Sequence, residues 1–381
     1  MREKGGKPVE RLSKLWKKRP VLVSFCLLFF LSVIFFLGFL GSAGFAELFA
    51  TGPAAAVRWL LGAISSPLPF SLFEVLVAAA VLYVVFLIVF ALYLLVRLIR
   101  KRPIPTGWHR FYPGLLAAGM GVFILFVFTL APCYYRHATA RHMDLDTDGV
   151  DEEAVFFALE RLVEVIAEAE PSLLKNENGE SLAPTSLSEI KRSVTEAADA
   201  FGEKHPFYQK SGFSAKSFLS SPWMTYTHIA GVYGFFTGEA NVNTNYPHFV
   251  VTSSIAHETC HARGIAPENE CNFLAAVILM ESDSPYLRYC GAMGVIDDFI
   301  VICKSLDAAR TSEILKDCPA VRGKDLRAYS RFFEPYRHSA ASKVADTANS
   351  TYLKAMGQKE GTVSYSRIIR LTAAYFQKNN P

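Results

Sequence analysis

Charge is scarce in this sequence. Charged residues make up 19% of its 381 residues, against about 25% in a typical soluble domain, and this deficit indicates that part of the chain lies in lipid. The sequence has no Gly-X-Y period, no sustained heptad, no internal repeat and no low-complexity tract, which excludes collagen-like and coiled-coil proteins. With 30 Phe and 16 Tyr it is too aromatic for a disordered chain.

Closely spaced cysteine pairs are missing as well. The seven cysteines include no CxxC pair, so a structural zinc site built from cysteines is disfavoured. The spacing does not determine which cysteines pair, and all seven are compatible with free thiols.

The small net charge hides an uneven distribution. Residues 1–110 hold 14 Lys and Arg against 4 Asp and Glu, whereas residues 111–381 hold 25 against 31. The basic excess therefore belongs to the membrane-proximal part and does not indicate nucleic-acid binding. We expect a lipid bilayer, and no nucleic acid, as a partner.

Three uncharged stretches are long enough to cross a bilayer, which takes about 20 apolar residues in a helix. They predict a three-span membrane region over residues 21–135, with spans at about 21–46, 75–96 and 111–135. A cleaved signal peptide is the competing interpretation of the first stretch, because small residues stand at positions 41–43. The fairly apolar 47–74 connection is either an interfacial helix or a packed connector.

Lysine and arginine in the short loops predict the orientation. Eight of them lie in the first 20 residues, and the loop after the second span carries five more without an acid. Both segments are therefore expected in the cytoplasm, with residues 1–20 as a basic cytoplasmic N-terminus. Residues 136–381 then form a domain on the outer side of the cytoplasmic membrane.

The outer domain has a mainly helical pattern. Apolar residues recur at helical spacing around 153–170 and 187–201, and further helices are expected at 252–263, 267–282, 285–305, 324–354 and 363–378. From Glu239 to Tyr246 polar side chains instead occupy every second position, which is typical of a strand. This strand is either an edge strand with one wet face or a strand that lines a cleft and pairs with an extended peptide.

The most specific motif is His257-Glu258-Thr259-Cys260-His261, an HExxH sequence. Two histidines four residues apart on a helix point the same way and can bind one Zn²⁺, and the Glu beside the first is placed to act on a water at that metal. No apolar run of spanning length includes the motif, so we expect the site in the aqueous domain.

A zinc peptidase needs a third protein ligand. Gly264 can end the helix in a left-handed turn and Pro267 can begin the next one, which could bring Glu268 back to the imidazoles. Glu270 is the substitute ligand if the corner turns differently. Asn272, one turn after Glu268, can orient a ligand histidine from behind.

These residues resemble those of an uncharacterised bacterial membrane family, domain of unknown function 3810. The resemblance rests on Gly231-Val232-Tyr233, Thr237 to Asn243, His257 to Phe273 and a C-terminal signature around Tyr352 and Tyr365. It implies three N-terminal spans followed by an extracytoplasmic zincin-like domain. The predicted fold is thus mainly α: three transmembrane helices, then an α-rich zincin-like domain with a small β element next to the HExxH helix.

The leading hypothesis is a membrane-anchored zinc metallopeptidase that hydrolyses peptide bonds of an unidentified peptide or protein outside the membrane. His257, His261 and Glu268 would bind Zn²⁺, and Glu258 would be the catalytic base. Three residues are candidates for stabilising the oxyanion by residue type alone: Tyr365, His248 and Tyr233.

The alternative is a non-catalytic, zinc-stabilised extracytoplasmic binding or scaffold protein, which does not need Glu258 as a base. Transport is disfavoured, because no charge lies at the centre of a span to form a polar pathway.

Overall fold

A computed structural model describes residues 20–103, 111–356 and 362–379, with side chains omitted for 111–113 and 362–366. The protein is 72% helix and 4% strand, which confirms the mainly α prediction. The predicted basic N-terminus, up to residue 19, and the side chain of Tyr365 lie outside the described residues.

The N-terminal third is built of apolar helices. They are α1 (Pro20–Gly41), α2 (Ala43–Thr51), α3 (Pro53–Ser65), α4 (Leu72–Ile99), α5 (Phe111–Thr129) and α6 (Ala131–Tyr135). Three described stretches are long and apolar enough to cross a membrane: Pro20–Gly41, Ala43–Ser65 and Leu72–Ile99. The last predicted span breaks at Leu130, because Pro132 suits the first turn of a new helix better than the interior of a long one.

The first and last of these stretches agree with predicted spans, whereas Ala43–Ser65 falls on the predicted connection. Ser42 separates α1 from α2, and its hydroxyl accepts a hydrogen bond from the backbone N–H of Phe45. Within Ala43–Ser65, Ala50 and Ala54 are fully buried and Arg58 is 4% exposed. Of the two alternatives for this connection, these contacts favour the packed connector.

The C-terminal part surrounds two amphipathic helices. Helix α8 (Glu152–Ala169) buries Leu159, Leu162 and Ile166 completely, and Asp151 caps its N-terminus by accepting from the backbone N–H of Ala154. Helix α9 (Leu187–Lys204) begins with a capping box. Both agree with the periodicity in the sequence.

Ten further helices of the C-terminal part are described. They are α7 (Thr139–His142), α10 (Ser221–Met224), α11 (His248–Ala262), α12 (Glu268–Met280), α13 (Pro285–Met293), α14 (Ile296–Leu306), α15 (Ala308–Ile314), α16 (Ala320–Phe333), α17 (Ala340–Ala355) and α18 (Thr362–Asn379). Two helices predicted as continuous are interrupted. Residues 285–305 divide next to Gly294, and residues 324–354 divide around Pro335, whose ring prevents helix continuation.

A three-stranded sheet lies beside α11. Its order is β3 (Lys216–Ser217), β5 (Glu239–Val242), β4 (Gly231–Gly234), with β5 parallel to β3 and antiparallel to β4. A separate hairpin pairs β1 (Leu174–Lys175) with β2 (Ser181–Leu182). The prediction that the Glu239–Tyr246 strand is an edge strand or pairs with an extended peptide was wrong, because β5 is the central strand.

The polar stripe on β5 is buried and makes hydrogen bonds within the protein. Glu239 is 4% exposed and Asn241 fully buried. The Glu239 carboxylate pairs with Lys216 at 2.9 Å and accepts from the backbone N–H groups of Leu72 and Phe73 at 3.1 and 2.7 Å. These two residues begin α4, so the stripe ties the sheet to the N-terminus of an apolar helix, where the helix dipole favours a carboxylate.

The apolar helices and the C-terminal part share a core. Phe39, Phe49 and Phe126 pack in one buried cluster with Tyr233 of β4 and Ala266, which precedes α12. The corner between α11 and α12 is therefore packed against the N-terminal helices.

Candidate metal centre

Helix α11 places the two histidines of the HExxH motif on one face. Their rings are one turn apart, with centroids 4.9 Å from each other. His261 is 8% exposed, and His257 is partly exposed to the cavity in front of the helix. The arrangement holds two imidazole nitrogens near the same point.

A tight corner follows α11. Gly264 has a φ of +89°, the left-handed conformation that a side chain disfavours, and the N–H of Ile265 donates to the carbonyl of Cys260 at 3.1 Å. Pro267 then precedes α12, whose first residue is Glu268. The corner reverses the chain so that α12 starts directly in front of the two imidazoles.

The reversal brings Glu268 to both histidines. Its carboxylate oxygens lie 3.1 Å from Nε2 of His257 and 3.6 Å from Nε2 of His261. One ligand atom from each of these three side chains lies within 4.8 Å of the other two, close enough for the three to share one metal ion. Burial raises the pKa of Glu268, but the neighbouring imidazoles more than offset this and hold it below its ordinary range.

The Nδ1 atoms of both imidazole rings also lie within hydrogen-bonding distance of oxygen atoms. Nδ1 of His257 lies 2.7 Å from Oδ1 of Asn272, and Nδ1 of His261 lies 2.9 Å from the carbonyl oxygen of Ile265. With a proton on each Nδ1, both contacts are hydrogen bonds and the Nε2 lone pairs face Glu268. This is the orientation that metal-binding histidines require.

Glu270 points away from this cluster. Its carboxylate accepts hydrogen bonds from the hydroxyl and the backbone N–H of Thr139, at 2.5 and 3.2 Å. The corner therefore places Glu268, and not Glu270, beside the two imidazoles; the sequence left both open as the third ligand.

Glu258 lies beside the cluster in a closely fitted space. It is 5% exposed, and burial raises its pKa to about 8. Within the described part of the chain, its Oε2 atom has no hydrogen-bond partner. Gly231 of β4 provides the space, since a Cβ at that position would lie 2.6 Å from Cγ and Oε1 of Glu258.

A cavity of about 880 Å³ lies in front of these side chains. It is lined by the three clustered residues and Glu258, by Phe73 and Leu130 from the apolar helices, and by Asp346, Asn349 and Tyr352 of α17. Helix α17 thus covers one side of the site. This volume accommodates several residues of an extended peptide.

Sequence reasoning did not identify Tyr352 as a residue of this cavity. Tyr352 lies far along the chain from the motif, yet its hydroxyl is hydrogen-bonded to that of Tyr134 at 3.1 Å. Burial raises its pKa to about 12, with a further contribution from the Glu268 carboxylate. Of the three oxyanion candidates, Tyr233 lines the cavity, whereas His248 is not among the lining residues.

Comparison with known proteins assigns the chain to one protein family by its sequence. A family model described as a protein of unknown function (DUF3810) matches residues 52–373, which include every residue of the cluster. No curated protein matches the chain, and no solved structure matches it.

Proposed function

The chain belongs to this family of proteins of unknown function, and we propose that it is a membrane-anchored zinc metallopeptidase. The observation that carries the proposal is the grouping of His257, His261 and Glu268 within 4.8 Å, next to a buried carboxylate without a partner. Two imidazoles and one carboxylate are a ligand set typical of catalytic zinc, which keeps a further position open. Zinc bound there would lower the pKa of a water molecule and polarise the scissile carbonyl.

Glu258 would be the general base. Its free Oε2 takes the proton from the attacking water and then passes it to the leaving amine. Because Gly231 has no side chain, it leaves the room on the β4 side that this carboxylate occupies. Burying a carboxylate oxygen without a hydrogen bond costs stability, and the non-catalytic alternative supplies no reason to retain it.

Tyr352 is the best placed donor for the developing oxyanion. The Glu268 carboxylate contributes to the raised pKa of Tyr352, whereas the charged group that acts on the Tyr233 hydroxyl is the Arg58 guanidinium, on the side of the apolar helices. The Tyr134 hydroxyl donates to the Tyr352 oxygen at 3.1 Å, which keeps the Tyr352 hydroxyl in place and leaves its own proton free for the oxyanion.

Strand β4 offers the substrate a main-chain edge. The N–H of Asn243 donates to the carbonyl of Ala230, and hydrogen-bonded pairs alternate along an antiparallel ladder. The backbone groups of Gly231 and Tyr233 therefore face away from β5. An extended peptide that pairs with them passes directly in front of Glu258.

The membrane topology follows from the apolar helices and the basic loops. Helix α4 has no buried residue along its 28 positions, an arrangement stable in lipid and not in water. If α1, α4 and α5 cross the membrane, the basic N-terminus and the basic 97–110 loop both lie in the cytoplasm and the cavity lies outside. A crossing by Ala43–Ser65 as well would put that loop outside, against the positive-inside rule.

The test uses the purified full-length protein in detergent. Metal analysis should find about one zinc per chain in the wild type and in Glu258→Gln, and little in His257→Ala. A degenerate library of unstructured peptides, read by mass spectrometry, should be cleaved by the wild type and not by Glu258→Gln. A wild-type protein without metal, or equal cleavage by Glu258→Gln, refutes the proposal.

A further inference from the structure

The wall of the cavity contains residues from the ends of the apolar helices. Phe73 is the second residue of α4 and Leu130 follows α5 directly. Phe235, in the turn after β4, joins them and packs edge-on against Phe126 of α5 at 5.6 Å. The metal cluster and the apolar helices therefore open onto the same space.

The metal cluster and the first turn of α4 are close together. Gly231 is in contact with Glu258, and a Cβ at Gly234 would lie 2.6 Å from the Phe73 ring. These two glycines are the two ends of β4, three residue steps apart. At roughly 3.3 Å per step, the end of β4 beside Glu258 is about 10 Å from the end beside the first turn of α4.

An exposed apolar segment sits on the same end of α4. Leu219 and Trp223 are 79% and 76% exposed. The backbone N–H groups of Leu219 and Ser220 donate to the Glu74 carboxylate at 2.9 and 2.7 Å, which fixes the segment to the first turn of α4. Exposed Trp and Leu at the end of an apolar helix are typical of residues that enter the membrane interface.

The same segment leads into the cavity. Residues Thr227, His228 and Ile229 follow it within a few positions and line the space in front of the metal cluster. The membrane-facing segment and the cavity entrance are thus parts of one continuous stretch of chain.

We propose that the substrates of this peptidase are membrane-anchored polypeptides, cut within a few residues of the outer membrane surface. This inference rests on the proposed function. A chain that emerges from the bilayer beside α4 and pairs with β4 spans the roughly 10 Å length of that strand, to the end beside Glu258, with about three extended residues. A soluble peptide reaches the same cavity without the local concentration that an anchor provides.

The test reconstitutes the full-length protein in phosphatidylethanolamine and phosphatidylglycerol vesicles. The probe is one degenerate peptide library in three forms: soluble, attached directly to a diacyl anchor, and attached through a flexible Gly-Ser spacer of about 20 residues. We expect the anchored library to be cleaved at least ten-fold faster than the soluble one, at bonds within about ten residues of the anchor. The cuts should move into the spacer when it is present.

A variant pair separates the membrane contact from general damage. Leu219→Ser with Trp223→Ser should slow cleavage of the anchored library several-fold and leave the soluble library unaffected. Val301→Ser, at a 67% exposed position on α14, is the matched control and should change neither rate.

Each outcome has a distinct meaning. Equal rates on the soluble and anchored forms, or cuts spread evenly along the peptide, overturn the inference and leave the peptidase proposal standing. If the wild-type protein cleaves none of the three forms, both the inference and the proposed function fail.

Discussion

Gly231 leaves the space that the Glu258 carboxylate occupies, which allows a test of the proposed base without changing Glu258 itself. A methyl group at position 231 would lie 2.6 Å from both Cγ and Oε1 of Glu258, well inside van der Waals contact. The backbone at this position lies outside the left-handed region, so Gly231→Ala adds a side-chain clash without backbone strain. We expect the Glu258 side chain to turn away from the metal cluster.

The size of the effect follows from the cost of overpacking. Forcing one extra methyl into a well-packed site costs about 1–3 kcal/mol. If that energy displaces the carboxylate, the population of molecules with Glu258 in its wild-type position falls roughly 5- to 150-fold. This range follows because about 1.4 kcal/mol corresponds to a factor of ten. The proposed zinc ligands His257, His261 and Glu268 are untouched, so metal content should remain that of the wild type.

The assay measures kcat on the cleaved peptide library together with zinc content and thermal stability in detergent. Gly202→Ala is the control: its Cβ would lie 2.9 Å from the backbone oxygen of Tyr208, a similar clash remote from the cavity, and should change kcat little. A Gly231→Ala protein with full kcat, despite reduced stability, would show that Glu258 is not held by this contact or is not the base.

Three further predictions concern the ligand choice, the oxyanion and the corner. Glu268→Gln should lose zinc in metal analysis, whereas Glu270→Gln should retain it, because only Glu268 reaches the imidazoles. Tyr352→Phe should lower kcat about 10²- to 10³-fold with little change in KM, as removal of an oxyanion donor does. Arg58→Met should lower the free energy of unfolding by about 2–4 kcal/mol, measured by thermal unfolding in detergent, because it removes the guanidinium that donates to the buried carbonyl oxygens of Ala50 and Thr129.

Local sequence rules were sufficient for the metal cluster. The two histidines are one helical turn apart, and the Gly264 corner joins their helix to the next over a few residues. The positions of Glu268 and Asn272 follow from the register of that second helix. No long-range contact had to be guessed, and the geometry agrees with the expected one.

Long-range contacts account for what sequence reasoning missed. The polar stripe of β5 has the alternation of a half-exposed strand, yet Glu239 is buried because its partners are Lys216 and the N-terminus of α4, far along the chain. Tyr352 reaches the cavity only through the packing of α17 across the site. The interruption at Pro335 was readable from the sequence, since proline ends a helix for local reasons.

The corner that presents Glu268 is held from the side of the apolar helices. The Arg136 guanidinium pairs with Glu47 at 2.6 Å and donates to the carbonyl of Gly264 at 3.1 Å. The Arg58 side chain lies against Gly264, where a Cβ would meet its guanidinium at 2.6 Å.

Gln209 forms a third connection between the N-terminal helices and this corner. The Gln209 amide oxygen accepts from Arg58 at 2.5 Å, and the backbone N–H of the same residue donates to the carbonyl of Arg263 at 3.3 Å. Residues from α2, α3 and the end of α6 therefore fix the turn on which the third ligand depends. The N-terminal helices thus support the corner that carries Glu268, and the proposed metal binding has to be measured on a chain that includes them.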